Sequence, residues 1–374
     1  MIPFNQPSIG DKERQYVLDS LNSGELSGDG KYTFAVYDRF KELFGIDTMR
    51  LTTSGSSALE LAALLTDIGP GDEFIVPSYT FSSTVNAFLL RGATPVFCDI
   101  RPDTLNIDET KIEALITPRT KVIVPIDYAG VPAEMDTINA LAATHGLQVV
   151  EDAAQSVGST YKGRPSGLLC DLSCFSFHVT KNYAMGEGGA LVMAPGYLDR
   201  ADIIREKGTN RRQMLDGKVD KYTWQDIGSS YLPSDLLAAL LLAQMERFQE
   251  IMDKRLAVWD YYFEALGDLA QSGDIQLPTV PAHIQHNAHM FYLICADATT
   301  REELCAKLNQ QGIKAASHYV PLHTAPFGQK NGWDKYQLPV TDDLSVRLLR
   351  LPLYADMSEA DVQSVIDAIH RFYV

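Results

Sequence analysis

The chain has 374 residues, 45% of them apolar, and a formal net charge of −16. That length suits one large domain with one smaller one rather than a single core. So acidic a protein repels a phosphate backbone, which excludes nucleic acid as a natural partner, and an anionic substrate needs a local positive pocket.

In chain order, periodicity predicts helices over 12–22, stopped near Gly24, and over 34–44, closed by Gly45. A third opens near Ser56 and runs through Leu65. Glu73 to Val76 reads as a strand, 81–91 as a helix ended by Gly92, and Thr94 to Cys98 as the next strand. Lys121 to Pro125, a helical stretch over 134–144, and Gln148 to Val150 form a βαβ crossover, which implies parallel strands in a helix-covered sheet. Residues 173–177 and 189–193 add two strands. A long helical pattern from Ser234 to about Leu269, with room for a kink, leads into a smaller α+β unit. That unit is expected to hold a strand at 290–295, a helix at 300–311, a strand near 313–319 and a last helix opened by Ser358. The expected division is 1–245 for the large domain and 246–374 for the small one.

Cys98, Cys170, Cys174, Cys295 and Cys305 show no paired CxxC spacing, so no metal is expected, and they read as free thiols of a reducing cytoplasm. No apolar run approaches the ~18 residues a membrane span needs, and Met1 to Pro7 carries no signal-peptide pattern.

Three segments fall where an open α/β sheet places ligands, at the carboxyl ends of strands. Thr53 to Leu59 is a small polar loop entering a helix, where N–H groups favour a phosphate and Gly55 allows close approach. Alone the signal is weak, and a serine-rich helix cap is the commoner reading. Glu151-Asp152-Ala153-Ala154-Gln155 puts a carboxylate after an apolar strand; alone it is equally a surface charge. Phe175 to Asn182, followed by Gly186-Glu187-Gly188-Gly189, sets Lys181 after another strand. A lone lysine there is usually solvated, and His178 alone usually structural. Together the segments meet the needs of pyridoxal phosphate (PLP): a phosphate cradle, an acid at the pyridinium nitrogen and a lysine for the imine.

On these motifs the chain resembles the DegT/StrS-type nucleotide-sugar aminotransferases over essentially its whole length. Pro77 to Phe81, Val149 to Gln155, Ser176-Phe177-His178 with Lys181-Asn182, and Pro321-Leu322-His323 carry the likeness. The resemblance implies PLP fold type I: a large α/β/α sandwich domain with a mostly parallel sheet, plus a smaller C-terminal α+β domain. It implies that Lys181 forms the Schiff base, Asp152 meets the pyridinium nitrogen, and Gln155 lies near the phenolic oxygen. Phe81 takes the place of the family's stacking aromatic, and Gly55, Ser56 and Ser176 sit where the family holds the phosphate. His318, Tyr319 and His323 are candidates for the sugar pocket. A homodimer with active sites between subunits is implied. So are the substrates, L-glutamate and a nucleotide-linked keto-sugar.

Arg205 to Arg211, Asp220 to Trp224, Asp226 to Leu232 and Asn287 to Tyr292 resemble the subgroup that aminates dTDP-4-dehydro-6-deoxy-D-glucose at C4. A 3-keto sugar or a GDP-linked 4-keto sugar is the nearest alternative, and a non-catalytic PLP-binding regulator the alternative of another class. The lysine at 181 sets the chain apart from the sugar 3-dehydratases, which carry histidine there. Asp127 stands where many relatives have histidine. Ser230 and Leu232 replace residues that many relatives send across the dimer interface.

Overall fold

A computed structural model describes residues 1–373. Its centre is a seven-stranded sheet of β1 (Met49–Thr52), β2 (Glu73–Pro77), β3 (Thr94–Cys98), β4 (Thr120–Ile123), β5 (Gln148–Asp152), β6 (Leu172–Ser176) and β7 (Gly189–Met193). The order across the sheet is β1-β7-β6-β5-β4-β2-β3. From β6 through β5, β4 and β2 to β3 all pairs are parallel; β7 runs antiparallel to both its neighbours.

Helices α1 (Asp11–Ser23), α2 (Lys31–Phe44), α3 (Gly55–Leu65), α4 (Ser82–Leu89), α5 (Met135–His145) and α6 (Asp235–Glu246) surround this sheet. Strand side chains alternate between two apolar layers, because successive residues of a strand face opposite ways. Phe74, Val76, Val122, Val150, Leu172 and Leu191 pack with α3 and α4. Ile75, Ile123 and Val149 face α5, while Leu51, Phe175 and Ala190 meet α2 and α6. Both faces are therefore buried, which is why these strands read as continuous apolar runs. The α/β/α sandwich expected from the motifs is present. Gly24 and Gly45 end α1 and α2 in left-handed conformation, φ 73° and 70°, as the stop signals required.

A second, antiparallel sheet holds β8 (Ile275–Gln276), β9 (Phe291–Cys295) and β10 (Leu348–Leu351), with β9 in the middle. Its core joins α7 (Phe248–Ala265), α8 (Ala298–Gln310) and α9 (Glu359–Tyr373) through Trp259, Tyr262, Leu304 and Ile369. Ile2 packs into the same core, and its N–H bonds the Gly312 carbonyl at 2.8 Å. Phe248 and Ile251 of α7 belong to the large core and Trp259 and Tyr262 to the small one, so this helix is shared.

Two expectations need correction. The strand near 313–319 does not form: Ile313 makes a single bridge to Ile2 and Ala316 one to Arg350. Beyond Ala316 the chain leaves the sheet, and the strand that pairs with β9 is Leu348–Leu351. The long helix from Ser234 is three helices, Asp235–Glu246, Phe248–Ala265 and Gly267–Ser272, broken at Arg247 and Leu266.

Candidate active site

The three segments singled out above converge. β1 leads through Thr53 and Ser54 into α3, β5 ends on Asp152, and β6 ends on Ser176 before the loop that carries Lys181. Gly55, Ser56, Phe81, Asp152, Gln155 and Ser176 line one cavity of about 680 Å³. Lys181, His318 and Tyr319 line it too. These residues come from both units of the fold.

The cradle end is built by close packing. Ser54 caps α3, its Oγ accepting the Ser57 N–H at 3.0 Å. A side chain at position 55 would come within 2.9 Å of the Ser176 Cβ, so glycine is what lets the end of β6 approach the helix. The Ser56 hydroxyl donates to Ser83 Oγ at 2.7 Å. The first turn of a helix leaves N–H groups without intrahelical partners, which favours an anion there.

At the opposite end Asp152 is buried, 6% exposed, and does not lie on the surface. Its Oδ2 accepts the Thr84 hydroxyl at 2.7 Å and its Oδ1 the Ala154 N–H at 3.2 Å. Burial raises the carboxyl pKa above its ordinary value; these bonds and the Lys181 charge oppose the rise without cancelling it. Burial likewise lowers the Lys181 amine to about 8; Asp152 opposes this and the Arg350 charge adds to it. The lysine is therefore an amine that gives up its proton near neutral pH.

Phe81 stands at the N-cap of α4 with its ring 58% exposed, 6.2 Å from the Tyr319 ring. Gln155 accepts the Ala129 N–H at 2.8 Å and donates to the Tyr319 hydroxyl at 3.1 Å, so it orients that ring. His318 is pushed down to about 2 by burial and then by the Arg350 and Lys181 charges; it is neutral, with Nδ1 3.1 Å from the Tyr128 hydroxyl. His178 lies at the cavity rim, with Nδ1 bonded to the Thr180 hydroxyl at 2.8 Å.

His323 is the site residue that the structure does not bring to the cavity. It is 1% exposed and absent from the cavity wall. Its Nδ1 bonds Ser78 Oγ at 2.8 Å and its Nε2 lies 3.1 Å from Asp342 Oδ1, so it ties the 321–325 turn to the end of β2. Asp127 also lies elsewhere, fully buried on the far face of β5.

Sequence reasoning missed Thr84 and Arg350. Thr84 lies three residues after Phe81 on the first turn of α4, a spacing that could have flagged it. Arg350 lies within a short apolar run and gave no motif.

These residues fit PLP. The cavity offers a helix start beside small side chains at one end, a buried acid at the other, and a desolvated amine within the electrostatic reach of that acid. Lys181 would hold the aldehyde carbon, Asp152 the ring nitrogen, and Gly55, Ser56 and Ser176 the phosphate.

Residues 7–370 match the DegT/DnrJ/EryC1/StrS aminotransferase family. The spore coat polysaccharide biosynthesis protein SpsC of Bacillus subtilis is 37% identical over 378 aligned residues, 98% of this chain and 96% of that one. S. venezuelae DesV, solved with a ketimine intermediate, superposes with a TM-score of 0.90 at 30% identity, covering 99% of this chain and 98% of that one. Streptococcus pneumoniae Spr1654 in its PLP form gives 0.92 at 26% identity, covering 99% and 98%. Matched along nearly its whole length, the chain belongs to the DegT/DnrJ/EryC1/StrS aminotransferase family, as a PLP-dependent sugar aminotransferase.

Proposed function

We propose that the enzyme moves the amino group of L-glutamate to C4 of dTDP-4-dehydro-6-deoxy-D-glucose, giving dTDP-4-amino-4,6-dideoxy-D-galactose and 2-oxoglutarate. The observation that carries the reading is one cavity lined by both the Lys181 amine and the Asp152 carboxylate, with a phosphate cradle in its wall. The choice of a dTDP-linked 4-keto sugar rests on the resemblance of the 205–232 and 287–292 segments. The product's destination in this reading is a surface polysaccharide such as lipopolysaccharide, in line with the spore coat polysaccharide role of the Bacillus subtilis relative.

When bound, PLP supplies an aldehyde for an amine to condense with and a protonated ring that withdraws electrons from the adjacent carbon. Asp152 would hold the proton on the ring nitrogen of bound PLP, and the Thr84 hydroxyl keeps the carboxylate oriented for it. The Lys181 amine would take the proton from the donor's Cα as general base. In the second half-reaction it delivers a proton to the sugar C4 from its own side, which sets the configuration. Phe81 would cover one face of the cofactor ring, and Tyr319, 6.2 Å from it, would contribute to the wall that receives the sugar. Two half-reactions through one site imply ping-pong kinetics.

The reading includes a homodimer in the cytoplasm. Leu215, Tyr222, Trp224 and Ile227 lie exposed on one segment, Trp224 at 81%, which supports a self-association surface. No helix of the described residues is long and apolar enough to cross a membrane.

The test is a product assay. Purified enzyme, PLP and glutamate are offered dTDP-4-dehydro-6-deoxy-D-glucose, its 3-keto isomer and a GDP-linked 4-keto sugar, and the product is identified by NMR. Amination of either alternative in preference to the first would overturn the substrate assignment. Lys181→Ala should abolish turnover and the absorbance of the lysine-bound cofactor; full turnover by that variant would overturn the chemistry. Light scattering at the monomer mass would overturn the dimer.

A further inference from the structure

We infer that Arg350 anchors a carboxylate of the amino donor, an inference that rests on the glutamate-dependent reading above. Arg350 lies on β10 and its side chain lines the cavity. Only it and Lys181, among the described residues of that wall, carry a fixed or potential positive charge of the Lys/Arg type. Its backbone is fixed on two sides: its N–H bonds the Ala316 carbonyl at 2.8 Å, its carbonyl accepts the Ala316 N–H at 3.2 Å, and it lies opposite Tyr292 of β9. Its Cζ lies 4.6 Å from the Phe4 ring centroid, a cation–π contact that sets the guanidinium plane without neutralising it.

Among the described residues no carboxylate pairs with Arg350, and its Nε is buried with no hydrogen-bond partner. The Nε of Arg205 is likewise without a partner, but that guanidinium meets a carboxylate, Asp29, at 2.6 Å, and the buried Arg255 donates to the Ala288 and His289 carbonyls at 3.1 and 2.7 Å. A partly desolvated guanidinium held rigid without an anion is unfavourable unless a ligand supplies one. The planar fork suits a carboxylate, which it binds through two parallel bonds.

Position selects the donor over the nucleotide. The Arg350 charge is close enough to depress Lys181 and His318, so it stands beside the reacting nitrogen. In an amino acid the α-carboxylate is attached to the carbon bearing that nitrogen. In a nucleotide-linked sugar the diphosphate hangs from C1, across the ring from C4. A cation at this place therefore meets the donor's carboxylate in the first half-reaction and only uncharged sugar in the second. It also supplies the local positive field that an anionic donor needs to approach a protein of net charge −16.

The experiment follows each half-reaction separately on PLP-loaded holoenzyme, by the change of the cofactor's visible band in a single turnover. Arg350→Gln should raise the glutamate concentration giving half-maximal rate about 100-fold, the size of a lost charged hydrogen-bonded pair. Arg350→Lys, which keeps the charge but not the fork, should show a smaller rise. With the amino-sugar product as donor, both variants should lose much less than with glutamate, since that half-reaction loses only the Arg350 field on Lys181 and no anchored carboxylate. Wild type should react far better with glutamate than with its α-amide, the γ-amide, which keeps the α-carboxylate, serving as control; loss of the α-amide discrimination in Arg350→Gln supports the anchor. An unchanged glutamate response overturns it. So does a fall confined to the sugar half-reaction, which would make the diphosphate the occupant. Should Arg350→Gln fail to hold cofactor, Arg350→Lys and the wild-type amide series still decide. If wild type itself ignores glutamate and both amides yet reacts with the amino sugar, the donor reading fails, and that is separable from a failure of Arg350.

Discussion

Glu151 and Asp152 are consecutive residues of one strand, and they live in opposite worlds. Asp152 points to the α3–α4 side, into the cavity, where it has a hydroxyl, an N–H and the Lys181 amine for company. Glu151 points to the other side, toward Asp127. There the Ser173 hydroxyl and the Gly167 N–H bond its Oε2, at 2.5 and 3.2 Å, and Ser166 reaches both acids. Ser166 Oγ lies 3.0 Å from Glu151 Oε1, 2.8 Å from Asp127 Oδ2 and 2.6 Å from Ser156 Oγ. One hydroxyl hydrogen cannot serve three acceptors. Among the described residues no lysine, arginine or histidine pairs with Asp127 or Glu151, so only serine hydroxyls and backbone N–H groups face the two acids. Burial raises both acids, and the Asp127 charge raises Glu151 further. The strand's alternation thus sorts two adjacent acids: burial raises both, but one is opposed by a nearby cation and the other is raised further by a second acid.

The comparison can be broken most directly at Asp152. Asp152→Asn should lower kcat about 10³-fold, the scale of losing one preorganised electrostatic partner, with the protein still folded. Retention of more than a tenth of the rate would make the two acids equivalent. Thr84→Val should lower kcat about tenfold. Because that bond pulls Asp152 down, its loss should also move the acid limb of the kcat/KM profile to higher pH. On the other side Glu151→Gln should change kcat less than about threefold. Its effect is on stability. Glu151 is raised in the folded protein, so its contribution is full below the unfolded value near 4.5 and is lost as pH rises toward the folded one. Melting curves between pH 5 and 9 should therefore fall more steeply for wild type than for Glu151→Gln, by about 2 to 4 °C at the alkaline end. The smallest effect concerns the amine. In cofactor-free enzyme, trinitrobenzenesulfonate labelling of Lys181 should rise with a midpoint near pH 8. Asp152→Asn should lower that midpoint by less than about one unit, since the acid opposes the depression; a midpoint at the ordinary lysine value would remove the desolvated amine.

How much of this could be read in advance depended on contiguity. Asp152, Lys181 and Gly55 lie in short motifs at strand ends, where a parallel sheet must place its ligand, so the residues and their neighbourhood were legible together. The small unit's side of the cavity was not. Arg350 comes from a four-residue strand whose other members are apolar, and its role depends on what it lacks, a counter-ion, which no local pattern records. His318 and His323 look alike in the chain, five residues apart. The bonds that separate them come from Tyr128 in one case and from Ser78 and Asp342 in the other. The strand expected at 313–319 failed for a related reason: its alternation is real, with Ile313 and Ala315 buried, but it meets partners only through single bridges, Ile313 to Ile2 and Ala316 to Arg350.

The antiparallel placement of β7 has a consequence for robustness. Because β6 and β7 are neighbours joined directly, residues 177–188 form a closed hairpin loop, pinned by Phe177 N–H to the Gly188 carbonyl at 2.8 Å and Val179 N–H to the Gly186 carbonyl at 2.8 Å. Lys181 hangs from that local clamp, and Asp152 from the adjacent strand. Arg350 and Tyr319 belong to the other unit. Mild heat or denaturant that loosens the smaller unit would leave lysine and acid facing each other, so discrimination among amines should fade while the capacity to capture the cofactor persists.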